Sequence, residues 1–211
     1  MKVVEHRKTI QPRSSSLSGV LGSRIGIIKS IADKVSGYFL RFLNLNDAYV
    51  LFDSVITIVG DFTITLKSQS FEAGVYVLGN TTAGTYGVLL NPNSIVVRIG
   101  GTNYTIAGIV VTSDEIVVSR VGATISATMG SVFYGSVAAS SADLIVNNIG
   151  QRLASGGFSR DLEIDYMVID GHINLQFPEG TGTTTADSSG NGNNGTLSTF
   201  GAGIPTWEPI L

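Results

Sequence analysis

Two stretches of this chain carry side chains whose types and spacing suit chemistry. In "RDLEIDYM", residues 160–167, Asp161, Glu163 and Asp165 occupy every second position. Alternate residues of a β-strand share a face at about 6.6–7 Å spacing, and carboxylates paired on one face can hydrolyse a glycosidic bond. In "DSSGNGNNGT", residues 187–196, one carboxylate stands among three glycines and three asparagines. Asp187, Ser189, Asn191 and Gly192 fall at positions 1, 3, 5 and 6 of a calcium-loop pattern.

Both stretches also have a plainer reading. Position 12 of the calcium pattern is Ser198, so the bidentate glutamate is missing. Asp and Asn side chains satisfy nearby backbone N–H groups in Asx-turns, and glycine supplies positive φ. The loop is therefore expected to be mainly a surface turn. Asp187, Ser189 and Asn191 stand as the metal candidates, and calcium is the one ion they suggest. The acidic strand is expected to be a solvated face that meets Arg152 or Arg160. With no cysteine and only His6 and His172, a zinc site is not supported. There is no Gly-x-Ser-x-Gly elbow with a histidine partner and no glycine-rich phosphate loop running from a strand into a helix. The expectation is a protein without enzymatic activity.

The elements that must position these residues read as strands. From Gly37 onward the apolar period is two, as in "DFTITLKSQ", where Phe62, Ile64 and Leu66 alternate with Thr63, Thr65 and Lys67. Similar runs follow at 74–79, 86–90, 94–99, 102–106, 108–112, 115–121, 123–128, 131–137, 143–147, 161–169 and 172–177, separated by Gly, Asn and Pro turns. So many short strands, with no alternating helices, predict an all-β, two-sheet antiparallel sandwich over residues 37–211.

The first 36 residues differ in kind. Residues 1–19 are polar and basic and read as an extended arm. Residues 20–36 place Leu21, Ile25, Ile28, Ala32 and Val35 on a heptad stripe, which predicts a short amphipathic helix. Two heptads do not sustain an isolated coiled coil. This helix is expected to pack on its own domain, on sister chains or on a larger assembly. Residues 1–35 hold seven Lys/Arg against two Asp/Glu, a charge of +5. The remainder holds six against fourteen, a charge of −8, and the two sum to the chain's −3. A basic arm on an acidic body suits docking onto an acidic partner, and a protein is expected rather than nucleic acid. No apolar core of a signal peptide and no run of about 18 apolar residues is present, so synthesis in a cytoplasm and no membrane partner are expected.

The last forty residues contain Glu179, Gly180, Gly182, Asp187, Ser188, Ser189, Gly190, Asn191, Gly195, Thr196 and Trp207 in the order Glu-Gly-x-Gly, Asp-Ser-Ser-Gly-Asn, Gly-Thr, Trp. This text resembles a segment of laminin-G-like, concanavalin A-like jelly-roll domains. "YFLRFLNLNDAYVLF…DFTITLK" and "FSRDLEIDYMVIDG" are similar to other strands of that family. In many such domains the segment precedes the sandwich. Here it follows, an order that looks like the permuted form in bacteriophage virion proteins. Laminarinase-type glycosidases of the same fold use Glu-x-Asp-x-Glu, and Met167 stands where the third acid belongs.

The resemblance implies a jelly-roll sandwich acting as a structural virion component: a head decoration, a head fibre or a tail-associated protein at the virion surface. Arg7, Lys8, Arg13, Leu21, Ile25, Ile28 and Val35 would anchor or oligomerise it, a trimer being one form. Other capsid or tail proteins would be its partners. The alternative is a carbohydrate-binding module for cell-surface glycans, with Tyr104, Tyr134, Tyr166 and Trp207 as sugar-facing aromatics.

Overall fold

The computed structural model describes residues 37–43, 47–108, 114–151, 160–201 and 203–210. Contacts divide the chain between Ser36 and Gly37. The basic arm, the heptad stripe, most of the 108–112 run and Arg152 lie outside the described residues.

Sixteen strands follow one another without a helix among the described residues. They are β1 (Tyr38–Phe42), β2 (Ala48–Ile58), β3 (Phe62–Phe71), β4 (Val75–Gly79), β5 (Gly87–Asn91), β6 (Ser94–Ile99), β7 (Thr102–Ala107) and β8 (Glu115–Val121). Then come β9 (Thr124–Met129), β10 (Val132–Ala138), β11 (Leu144–Ile149), β12 (Leu162–Ile169), β13 (Ile173–Leu175), β14 (Thr184–Thr185), β15 (Gly195–Thr199) and β16 (Thr206–Pro209). All ladders are antiparallel. One sheet runs β10-β9-β8-β3-β12-β1-β16, with β13 also on β12, and the other runs β14-β15-β2-β11-β4-β5-β6-β7. The two sheets pack as a sandwich.

The core follows from the alternation. Phe62, Ile64 and Leu66 of β3, Ile116 and Val118 of β8, and Leu162, Ile164, Met167 and Ile169 of β12 bury one face of the first sheet. Val50, Phe52, Ile56 and Ile58 of β2, with Val75, Val88, Ile95, Val97 and Val146, bury the facing side of the second. Each such side chain contributes roughly 1.5–3 kcal/mol when removed from water, so the inward set dictates the register.

Moving the chain between sheets creates a second requirement, because a crossing segment leaves its ladder partners behind. Arg120, at the end of β8, meets it at two crossings. The residue is 1% exposed. Nε donates to the Gly60 carbonyl at 2.7 Å, with Nη2 on the same oxygen, and Nη1 donates to the Ser140 and Ala142 carbonyls. Gly60 belongs to the β2-to-β3 crossing, and Ser140 and Ala142 to the β10-to-β11 crossing. The charge also lies over the Phe62 ring, 5.0 Å from its centre. Replacing Arg120 with Met removes these donors and the charge over the Phe62 ring, and is expected to cost about 1–3 kcal/mol. Replacing it with Lys recovers only part, since an ammonium lacks the planar fork. Urea unfolding followed by circular dichroism measures both.

Candidate functional site

The 187–196 loop is closed by its own side chains. The chain leaves β13 through Phe177, a buried residue held at φ 50°, and Pro178, then forms the short β14 before Asp187. Asp187 pairs as an isolated bridge with Leu175. Its Oδ1 accepts from Asn174 N and Ser189 N, both at 2.9 Å, and its Oδ2 accepts from Ser189 Oγ at 2.7 Å and Asn193 N at 2.9 Å. Four donors occupy the roughly four acceptor positions of one carboxylate. Partial burial pushes the Asp187 carboxyl up, but the bonds from Ser189, Asn174 and Asn193 outweigh it and hold the carboxyl below its ordinary value.

The remaining loop residues are engaged in the same way. The amides of Asn191 and Asn193 donate to the His172 carbonyl at 3.2 and 2.9 Å, and Asn191 also reaches Gly171 at 3.0 Å. Gly190 and Gly192 take φ 88° and 71°, a left-handed region that side chains disfavour. Asp187, Ser189 and Asn191 are therefore brought together, as the sequence suggested, but as an Asx-type turn that binds the β12–β13 corner. Among the described residues, no group of three or more His, Asp or Glu is gathered that could hold a metal.

The acidic strand is also committed to internal partners. Glu163 pairs with Arg41 of β1 at 3.3 Å and accepts from Ser70 Oγ at 2.8 Å. Arg160 instead pairs with Glu72 at 3.0 Å. The β12–β3 ladder skips Gln69 on one strand and Asp165 on the other. These two bulged residues bind each other, Gln69 Nε2 lying 2.9 Å from both Asp165 oxygens, with Lys67 Nζ at 3.6 Å. Asp165 is 3% exposed. The bulge breaks the alternation expected over 161–169. It turns Met167 into the core and leaves Tyr166 outside, donating to Glu115. Burial first, then the Glu115 and Asp165 charges, raise the Tyr166 phenol, so it stays a donor. The carboxylates do not face one another across an open cleft, as hydrolysis of a glycosidic bond requires.

The aromatic candidates are dispersed. Trp207 on β16 donates from Nε1 to the Gly182 carbonyl at 2.9 Å and sets its ring edgewise on Phe177, with centres 6.4 Å apart. Tyr104 on β7 and Tyr134 on β10 are half-buried against the core. Those two strands lie where the sheet edges meet, with Gly135 beside Ile106. The aromatic side chain that β10 exposes is Phe133, at 63%, next to Val132 at 53%, and periodicity alone does not single it out because a bulge follows it.

The loop also meets a distant segment. The β2–β11 ladder is interrupted between Leu51 and Ile56, and Asp53 N donates to the Asn194 carbonyl at 2.9 Å while Asn194 Nδ2 donates to Asp53 Oδ2 at 3.2 Å. Asp53 was not singled out in the sequence, since 141 residues separate it from Asn194. No known family model matches the chain, and a search of the curated proteins finds no match.

Replacing Asp187 with Ala removes four hydrogen bonds from the turn and is expected to cost about 1–2 kcal/mol, measured by urea unfolding at pH 7. Because folding lowers the carboxyl's pKa, its contribution is fully present above the unfolded value of about 3.9 and is lost as pH falls through the lower folded value. The stability gap between the parent protein and Asp187→Asn is thus expected to be constant from pH 7 to about pH 5 and to shrink in more acid solution.

Proposed function

We propose that this protein is a non-enzymatic structural component of a bacteriophage virion, a head decoration, head fibre or tail-associated protein, whose sandwich is displayed and whose first 36 residues are its anchor. The observation that carries this reading is the charge division, +5 over residues 1–35 against −8 over the rest, which separates a docking segment from an acidic, sparingly charged body. The internal engagement of Glu163, Asp165 and Asp187 supports a body whose carboxylates serve stability.

We read the sandwich as a concanavalin A-like jelly roll in permuted order. In an order that begins with the Glu179–Trp207 segment, the chain would pass from β16 directly into β1. The two strands are antiparallel neighbours with Tyr38 opposite Pro209, and Ile210 N donates to the Gly37 carbonyl at 3.0 Å. A short turn would join them.

The test uses particles of the encoding phage from which this protein has been deleted. The full chain is expected to co-sediment with them. A variant lacking residues 1–36 is expected to stay in the supernatant with an unchanged circular dichroism melt. A full chain that remains monomeric and fails to sediment with the particles overturns the reading.

One feature favours glycan binding as a second reading: Phe133 is exposed beside Tyr134 on an edge strand, and aromatic faces stack on sugars. A glycan array should then give signals that Phe133→Ala abolishes, and a blank array removes this reading.

A further inference from the structure

An asparagine followed by glycine loses its side-chain amide readily, because glycine has no Cβ to crowd its own backbone nitrogen. The chain contains two such pairs, Asn191-Gly192 and Asn194-Gly195, three residues apart in one loop. Sequence alone makes them equivalent. The fold separates them.

Gly192 is exposed at φ 71°, and a Cβ added there would meet nothing within 4 Å. None of the described groups accepts from its N–H. Asn191 is also exposed, and its Nδ2 lies near the Gly171 carbonyl at 3.0 Å, the His172 carbonyl at 3.2 Å and Ser189 Oγ at 3.0 Å. An amide has two hydrogens, so three acceptors compete for them.

Asn194 is held at both side-chain atoms. Its Oδ1 accepts from Asp187 N at 3.0 Å, and its Nδ2 donates to Asp53 Oδ2 at 3.2 Å. Gly195 is buried in β15, in register between Thr185 and Phe52, and lies so close to Val50 and Thr185 that any side chain would collide. Cyclisation there would turn the peptide out of two ladders.

We propose that Asn191 is a deamidation site of the folded protein, that the fold protects Asn194, and that conversion of Asn191 loosens the β12–β13 corner. The reaction needs only water. Gly192 N gives up its proton and attacks Asn191 Cγ; the N–Cγ bond forms, the Cγ–Nδ2 bond breaks, and ammonia leaves with that proton. Water then opens the cyclic imide at either carbonyl. One opening gives aspartate, and the other gives isoaspartate, whose backbone runs through the side chain.

Both products act on the same contacts. A carboxylate has no hydrogen to give, so the Gly171 and His172 carbonyls lose the Asn191 donor and face a negative charge instead. Isoaspartate also adds one carbon to the backbone between Gly190 and Gly192, both held in the left-handed region. Asn193 Nδ2 on the His172 carbonyl and the four donors on Asp187 remain. The corner therefore loosens while the body stays folded. Nothing here depends on the virion reading, since the body alone is concerned.

The test is peptide mapping by mass spectrometry of the full chain, held for several weeks in mildly alkaline buffer, folded and in urea. In the folded protein Asn191 is expected to convert at least tenfold faster than Asn194, read as the replacement of an amide by an acid in each peptide. In urea the two rates are expected to agree within about twofold, because only the fold distinguishes the pairs. Asn191→Asp, which sets one product in place, is expected to melt about 2–4 °C below the parent. Its His172 and Asn174 amide hydrogens are expected to exchange at least fivefold faster. The aged parent, separated from the fresh protein by its added charge on an ion exchanger, is expected to show the same faster exchange. Asn191→Gln, which would need a larger ring, is expected to remain unconverted. Equal rates at Asn191 and Asn194 in the folded chain, no conversion of Asn191, or unchanged exchange in both Asn191→Asp and the aged parent overturns the proposal.

Discussion

The sandwich depends on satisfying backbone carbonyls where the chain passes from one sheet to the other. A strand inside a sheet has ladder partners on both sides, but a crossing segment does not, so its carbonyls need other donors. Arg120 resolves this for two crossings at once, because a guanidinium presents several donors in one plane and the Gly60, Ser140 and Ala142 carbonyls converge on it. Asparagines do the same work near β4 and β11. Asn80 caps the turn after β4 through Thr82 N and Ala83 N, and Asn147 takes Thr81 N at 2.9 Å and gives its amide to Thr81 Oγ1. Buried polar side chains here are the connectors of the fold, and the apolar residues fill the space between them.

That division explains what could be read from the sequence. Strands with inward residues at period two, such as β3, β6, β8 and β9, were recovered within a residue or two, because burying one face imposes the pattern. The last three strands were missed. β14 spans two residues and β15 reads Gly-Thr-Leu-Ser-Thr, so neither carries enough apolar alternation to signal a strand. β15 pairs with β2, some 145 residues earlier, β14 pairs with β15 alone, and β16 pairs with β1. The second half of β2 was missed for a related reason: Asp53, Ser54 and Val55 are exposed where the ladder breaks, and only the partner loop accounts for the break. The Glu179–Trp207 text gave no role to Asp53, which meets Asn194 at this break.

The two acidic regions differ in how their charge is balanced. On β12, each carboxylate lies beside a cation, Glu163 in the ladder with Arg41 and the bulged Asp165 with Lys67, and the skipped Gln69 donates to both Asp165 oxygens. Such pairs contribute little apiece when exposed, but they neutralise a strand that would otherwise repel itself. At the β2–β15 junction no cation faces Asp53 or Glu179 across the cleft that both line.

The attachment point of the first 36 residues bears on the proposed role. Gly37 leads into β1, which is not an edge strand: it is bonded to β12 through Leu40–Phe42 and to β16 through Tyr38–Arg41. A pull along β1 loads both antiparallel ladders in shear, so many hydrogen bonds must fail together, whereas an edge strand peels one bond at a time. Leu40 and Phe42 are also buried in the core, which couples the same pull to apolar packing. A display body held by its first segment requires this arrangement, because the strand nearest the tether must be the last to leave the sheet.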